Sequence, residues 1–293
     1  MECAHPPEHH DRLELSTVPL LHALVLGLVQ GLAEFLPISS SGHLLLVPWL
    51  FGWNDLADPS VAKAFDVSLH LGTLVAVIAY FRRDLVVYVR DGLSMVVRRE
   101  RPSTPEGRLA WLLMLSCVPA AVVGAVFEDV IDERLGTPGL IAASLVVFGL
   151  LLLVADRARG RRTLDEYTTR DALTIGAAQV LALNPGTSRS GITMTAARWM
   201  GFDRDAAARA SFLMAIPVTG GAVVFKLAGL FSDGVPDGLL APMAVGIIAA
   251  GLSGWVAVWG TLHLVRTRSF GGFVAYRLAL AALVWALMIA GVR

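Results

Sequence analysis

The sequence predicts an all-α polytopic integral membrane protein, built as duplicated halves with two re-entrant helical hairpins meeting near mid-membrane. Three observations predict it: long apolar runs without charge, connections between them that alternate basic and acidic, and a repeat at fixed offset whose two copies both interrupt a helix. Of 293 residues, 55% are hydrophobic and 16% charged, whereas soluble globular domains carry about 25% charge. That composition excludes an ordinary soluble domain, and it excludes disorder, which needs a polar, highly charged chain. Lys plus Arg and Asp plus Glu are both 24, so no basic surplus remains for nucleic acid.

Residues 1–17 form a polar N-terminal tail with His5, His9 and His10. It lacks the basic start and small-residue cleavage site of a signal peptide, and a solvated tail accounts for its histidines as well as stray metal does. Residues 18–293 form a single membrane domain, with halves at about 18–155 and 167–293. Segments 109–127, 135–155, 238–265 and 278–292 contain no Asp, Glu, Lys or Arg. Most suffice to cross about 30 Å of hydrocarbon at 1.5 Å per residue. Segments 67–81 and 210–225 are shorter but bounded by charge in the same way. The loops with Arg82, Arg83, Arg98, Arg99, Arg101 and Arg108, then Arg157, Arg159, Arg161, Arg162 and Arg170, and finally Arg266 and Arg268, are basic and therefore cytoplasmic. The acidic connections, with Glu128, Asp129, Asp132 and Glu133 and with Asp233 and Asp237, face outward, which puts the C-terminus outside. Cys3 and Cys117 are the only cysteines, one in the tail and one in an apolar run, and suggest neither a disulfide framework nor a thiolate site.

A shift of 149 residues, the separation of Ser39 from Ser188, aligns the segment from Ala23 to Gly42 with that from Ala172 to Gly191. Ala, Leu, Gly, Gln, Leu, Ala, Ser, Ser and Gly recur in register, and Gly52 with Gly201 extends the match. Duplication explains this register, and an inverted arrangement, frequent in secondary transporters, is the expected relation between the copies. Each copy breaks an apolar helix with Pro and follows it with hydroxyls: Pro37 then Ser39, Ser40 and Ser41; Pro185 and Gly186 then Thr187, Ser188 and Ser190. Irregular backbone at membrane depth needs cover from protein or a watery cavity, which points to re-entrant hairpins meeting at a site. An ordinary proline kink is the plainer alternative, but it does not explain so many hydroxyls.

Glu34 lies among Leu32, Ala33, Phe35 and Leu36, where a charge is costly without a polar partner. Gln30, four residues earlier, shares its helix face. Together they are candidate oxygen ligands for a divalent metal, Mg²⁺ or Ca²⁺, with substrate phosphate completing the shell; alternatively, Glu34 is a structural carboxylate paired with Arg189. Arg189, between Ser188 and Ser190 and remote from the basic loops, suits bidentate binding of phosphate oxygens beside the amides of the Pro185–Gly186 turn. His43 follows Ser39, Ser40, Ser41 and Gly42, a hydroxyl–imidazole combination suited to an activated nucleophile or to proton transfer. His22, His70 and His263 read as structural, while Asp66 and Lys63 could equally be supporting or interfacial groups.

These segments resemble the signature of the bacterial undecaprenyl-diphosphate phosphatase, or bacitracin-resistance, family. The first motif stands here as Gln30-Gly31-Leu32-Ala33-Glu34-Phe35-Leu36-Pro37-Ile38-Ser39-Ser40-Ser41-Gly42-His43, and the second as Pro185-Gly186-Thr187-Ser188-Arg189-Ser190-Gly191-Ile192-Thr193. Ser211 to Pro217 and the pair Tyr276-Arg277 also resemble family positions. The resemblance implies hydrolysis of the terminal phosphate of a C55 polyprenyl diphosphate, recycling the lipid carrier for cell-wall synthesis. It places the protein in the bacterial cytoplasmic (inner) membrane, with the active site facing away from the cytoplasm. By the same resemblance Glu34 and Gln30 position metal and diphosphate, Ser40 or water attacks, His43 handles the proton and Arg189 steadies the phosphoryl group. Ser39, Ser41, Gly186, Ser188, Ser190 and Thr193 would bind substrate. Gln30 stands where many relatives have Glu, removing one negative charge. A polyprenyl-phosphate transporter or flippase is the competing reading, because duplicated halves and re-entrant hairpins also serve alternating access. Oligomeric state is open, a homodimer included.

Overall fold

A computed structural model describes residues 18–98, 104–235 and 238–292. The tail at 1–17 lies outside the described residues, as do Arg99, Arg101 and Asp237 and the side chains of Arg98, Glu128, Asp129, Asp132, Glu133 and Asp233. The described chain is helical, with one isolated bridge between Arg162 and Phe202. A first pair of short helices, α1 (Leu20–Phe35) and α2 (Ser40–Phe51), is followed by α3 (Pro59–Tyr80), α4 (Arg82–Arg98), α5 (Pro105–Arg134) and α6 (Pro138–Asp156). A second short pair, α7 (Thr169–Val180) and α8 (Arg189–Trp199), leads into α9 (Arg204–Asp233), α10 (Leu240–Val265) and α11 (Gly271–Ile289). Six helices, α3, α5, α6, α9, α10 and α11, are long and apolar enough to cross a membrane, and they coincide with the six apolar runs. The protein is a multi-pass membrane protein.

Local chemistry sets the helix starts. Asp58 caps α3 by accepting from the amides of Ser60 (2.8 Å) and Val61 (3.4 Å), with Pro59 at the first position, where no amide donor is needed. Thr168 and Asp171 form a capping box on α7. The arginine-bearing stretch after Phe81, read as a loop, instead begins with helix α4. Its apolar positions Leu85, Tyr88, Val89, Gly92 and Leu93 follow the helical period; Leu85 and Tyr88 pack on the core, and the Trp111 indole donates to the Gly92 carbonyl at 3.0 Å. Charges on its other face hide this helix from a search for uncharged runs.

Helix packing follows the small-residue logic of membrane proteins. The first pair beds on a helix of the second half, α1 against α10, and the second pair on a helix of the first half, α7 against α5. At Gly31 a β-carbon would stand 2.5 Å from the Ala250 carbonyl oxygen, and at Gly176 2.5 Å from that of Ser116. Only glycine lets these backbones approach. Apolar side chains such as Leu28, Val118, Leu252 and Trp259 remain exposed, as expected of surfaces that face lipid.

Candidate functional site

The site is made where the two broken pairs meet. Pro37 cannot continue α1, so the chain turns through Ser39, whose φ of 76° lies in the left-handed region. Ser39 then caps α2 by accepting from the Gly42 amide at 3.3 Å. The second pair repeats this: Ser188 has φ 75° and caps α8 through the Gly191 amide at 3.0 Å. Left-handed backbone is uncommon for residues other than glycine, so each serine needs its surroundings to hold it.

The two turns hold each other. Ser39 Oγ accepts from the Gly186 amide at 3.0 Å, and Ser190 Oγ donates to the Leu36 carbonyl at 3.0 Å. Across both lies Arg277, whose residue exposure is 0%. It donates to the carbonyls of Leu145 (3.0 Å), Pro37 (3.2 Å), Ser144 (3.3 Å), Gly186 (2.9 Å) and Thr187 (3.1 Å). The carbonyls of Pro37, Gly186 and Thr187, freed by the helix breaks, would otherwise be unpaired in a water-poor interior, while those of Ser144 and Leu145 tie the guanidinium to α6; one side chain supplies several donors.

This clamp brings Glu34 and Arg189 together across the junction. Glu34 Oε1 accepts from Arg189 Nη2 at 3.0 Å; Glu34 Oε2 accepts from Ser40 Oγ at 2.6 Å and from Gln30 Nε2 at 3.2 Å. Arg189 Nη1 donates to the Ser211 carbonyl at 2.9 Å, while its Nε is buried without a hydrogen-bond partner among the described residues. Glu34, Ser40, Ser41, Ser188 and Arg189 line a cavity of about 330 Å³.

The remaining sequence candidates stand behind this cavity. Gln30 is buried under Glu34, and Ser39, Gly186 and Ser190 are engaged in joining the turns. Thr193 Oγ1 donates to Ser211 Oγ at 2.8 Å, bracing the strut that carries Arg189. His43 does not line the cavity. Its Nδ1 lies 2.7 Å from the Ser39 carbonyl and its Nε2 2.7 Å from the Tyr276 hydroxyl, with the two rings stacked. A carbonyl only accepts, so Nδ1 carries the hydrogen and Nε2 accepts from Tyr276 in the neutral ring.

Sequence reasoning missed groups on the cavity wall. His70, read as structural, lines the cavity with Asp66 and Lys226. His70 Nδ1 is 2.9 Å from the Asp66 carbonyl, and its Nε2 is 3.9 Å from Glu34 Oε2. The four-residue spacing of Asp66 and His70 was the available signal. Arg277 was noted only as part of a family pair, because its acceptors are main-chain atoms that no motif displays.

The donor set does not suit a resident divalent ion on Glu34 and Gln30. Three donors, one of them a guanidinium, already occupy the Glu34 carboxylate, and no group of three or more His, Cys, Asp or Glu among the described residues could hold a metal. A hard cation such as Mg²⁺ wants several oxygen ligands.

The described chain is thus a multi-pass helical membrane protein whose two interrupted pairs bury a carboxylate and a guanidinium beside one polar cavity. The profile of the bacitracin resistance protein BacA family matches residues 23–283, and the chain belongs to that family. It is 46% identical over 264 residues to the undecaprenyl-diphosphatase of Geobacter metallireducens, covering 89% of this chain and 96% of that one. With that of Pelobacter propionicus it shares 46% over 275 residues, 93% and 98% of the two chains. With that of Moorella thermoacetica it shares 44% over 266 residues, 90% and 96%.

Proposed function

We propose that this chain is a membrane hydrolase that converts undecaprenyl diphosphate to undecaprenyl phosphate and inorganic phosphate, recycling the lipid carrier and conferring bacitracin resistance. The observation that carries the reading is the buried pair of Glu34 and Arg189 in a cavity edged by Ser40, in a chain whose relatives bear that activity in their names. Phosphoryl transfer requires mainly positioning and neutralisation of oxygens. When the diphosphate enters, Arg189 turns its fork from Glu34 to the terminal phosphate, and the freed carboxylate accepts the proton of the nucleophile. Ser40 Oγ, already 2.6 Å from Glu34, or a water in its place, bonds to the terminal phosphorus. The bridging P–O bond breaks, and its electron pair stays on undecaprenyl phosphate. If Ser40 attacks, water then releases phosphate from the serine. The leaving group is a phosphate with a second pKa of about 6, so it departs with little protonation, in keeping with His43 acting through Ser39 from behind the turn. A divalent cation, Mg²⁺ or Ca²⁺, would be held by the diphosphate's own oxygens and would neutralise part of their charge.

The cavity opens away from the cytoplasm in this reading. Asp66 belongs to the half of α3 remote from the arginines that follow it, His70 lies at its middle, and Lys226 lies on α9 far from Arg204. The protein sits in the cytoplasmic membrane of its bacterium, with the polyprenyl chain in the bilayer. The halves at about 18–155 and 167–293 are copies of one unit. The 149-residue offset pairs the starts of α1 and α7, the starts of α2 and α8, and the left-handed Ser39 and Ser188.

Phosphate release from C55 diphosphate by the purified full chain tests the reading. Glu34→Gln and Arg189→Ala, each with an unchanged helical spectrum and thermal transition, lose about 10²-fold or more in kcat. Parental turnover in either variant, or lipid translocation in sealed vesicles with no phosphate released, overturns it.

A further inference from the structure

The end of the molecule opposite the candidate site carries a second polar cavity, of about 710 Å³. It is bounded by the connection after α6, the start of α9 and the end of α10. Six arginines and three aspartates line it, and the aspartates are already engaged. Asp156 accepts from Arg204 at 2.6 and 3.1 Å and from the Phe270 amide at 3.0 Å. Asp205 accepts from Arg209 at 2.7 Å and Arg266 at 2.8 Å, and Asp203 caps the Ala206 amide at 2.7 Å.

The remaining cations are not all matched. The side chains of Arg157, Arg159 and Arg161 are exposed and make no hydrogen bond or ion pair with any described residue. Beneath them Arg198, 4% exposed, is matched: it donates to the carbonyls of Phe202, Asp156 and Ala158, and its Nε, without a hydrogen-bond partner among the described residues, pairs with Asp156 Oδ1 at 3.7 Å. Retention of arginine at the cytoplasmic side requires only positive charge near helix ends; it does not require convergence on a concavity or a fixed loop. This loop is fixed. The amides of Arg161 and Arg162 donate to the Gly201 carbonyl at 2.9 and 3.0 Å, and the Asp203 amide donates to the Arg162 carbonyl at 2.9 Å. Arg162 also grips Asp171 with both Nη atoms, at 2.9 and 2.6 Å. At Gly160 any β-carbon would collide with the Phe202 carbonyl.

We infer that this basin is a binding site for the phosphate headgroup of an anionic membrane phospholipid in the cytoplasmic leaflet. Its level selects a lipid: Asp156, Arg204 and Val265 mark the ends of three membrane-crossing helices, so the basin lies at headgroup depth. Trp199, next to Arg198 in sequence, is 54% exposed, as aromatic residues at a membrane interface are. Guanidinium groups pair with phosphate oxygens two at a time. The site is separate from the proposed hydrolysis and does not depend on it.

Native mass spectrometry of the full chain, purified with equal amounts of phosphatidylglycerol and phosphatidylcholine, tests the inference. The parent retains phosphatidylglycerol in preference. The triple variant Arg157→Gln/Arg159→Gln/Arg161→Gln, whose changed side chains have no hydrogen bond or ion pair with a described residue to lose, weakens that preference by roughly fivefold per arginine at low salt. Equal retention of the two lipids by the parent, or an undiminished preference in the triple variant, overturns the site. Millimolar inorganic phosphate that raises the parent's thermal transition while the lipid preference is absent assigns the basin to a free anion and also overturns it.

Discussion

At the scale of single residues, the site is a set of charges whose cost is met by particular partners. Arg189 holds Glu34 with one nitrogen and the Ser211 carbonyl with the other, so its planar fork sets the geometry. Lysine offers a point charge with no fork. Arg189→Lys is therefore expected to lose about 10²-fold in kcat/KM for C55 diphosphate, and activity within a few-fold of the parent would remove bidentate grip from the mechanism. Arg277 is a different case, since its five carbonyl acceptors hold the turns together away from the cavity wall. Arg277→Met strands the turn carbonyls of Pro37, Gly186 and Thr187 at about 1–3 kcal/mol for each group left unsatisfied. A large fall in the thermal transition follows, with Arg277→Lys falling less; a transition unmoved in Arg277→Met would mean that other donors satisfy the turns. These residues also mark the limit of sequence reading. Glu34 and Arg189 stood out because charge in an apolar run is expensive, and the structure puts them 3.0 Å apart. His70 did not, because its four-residue spacing from Asp66 acquires meaning only when α1 and α9 close the cavity around it.

At the scale of elements, the six crossing helices and both interrupted pairs were legible, because uncharged length and the Pro–Ser breaks are properties of the chain itself. Helix α4 was not, since its apolar face is interleaved with Arg82, Arg83, Asp84, Arg90 and Asp91. Element pairing was also out of reach, although the glycines that permit it were in view. Gly31→Val would drive a side chain into the Ala250 carbonyl and the Ser253 hydroxyl, separating α1 from α10, and should cost about 1–3 kcal/mol by overpacking. A thermal transition equal to that of the parent would show that the helices can part without penalty. The start of α7 gives a pH test. Burial of Asp171 opposes its charge, but hydrogen bonds from Arg162 and Thr168 outweigh burial and hold its carboxyl below the usual carboxylate range. A depressed carboxylate contributes its stabilisation fully above the unfolded value of about 3.9 and loses it as pH falls through the folded value. Asp171→Asn accordingly lowers the thermal transition at about pH 7, and the gap to the parent narrows below about pH 4. A gap that stays constant over that range would separate this carboxylate from the acid response.

At the scale of the whole molecule, an inverted repeat would bring the two hairpins in from opposite faces, each supplying half of a site at mid-depth while leaving the other half's helices continuous. The arginines after α3, α6 and α10 orient the crossings. They imply that α1 and α2 enter from outside and that α7 and α8 enter from the cytoplasm. The exposed Asn54, in the connection after α2, and the exposed Arg170, at the start of α7, should therefore lie on opposite sides of the membrane. In a Cys3→Ser/Cys117→Ser background, Asn54→Cys in intact cells should react with a membrane-impermeant maleimide, whereas Arg170→Cys should react only after the membrane is opened. Labelling of both from one side would mean that the pairs enter together. The repeat would then be parallel, and Ser39 and Ser188 would share their left-handed turns without being related by inversion.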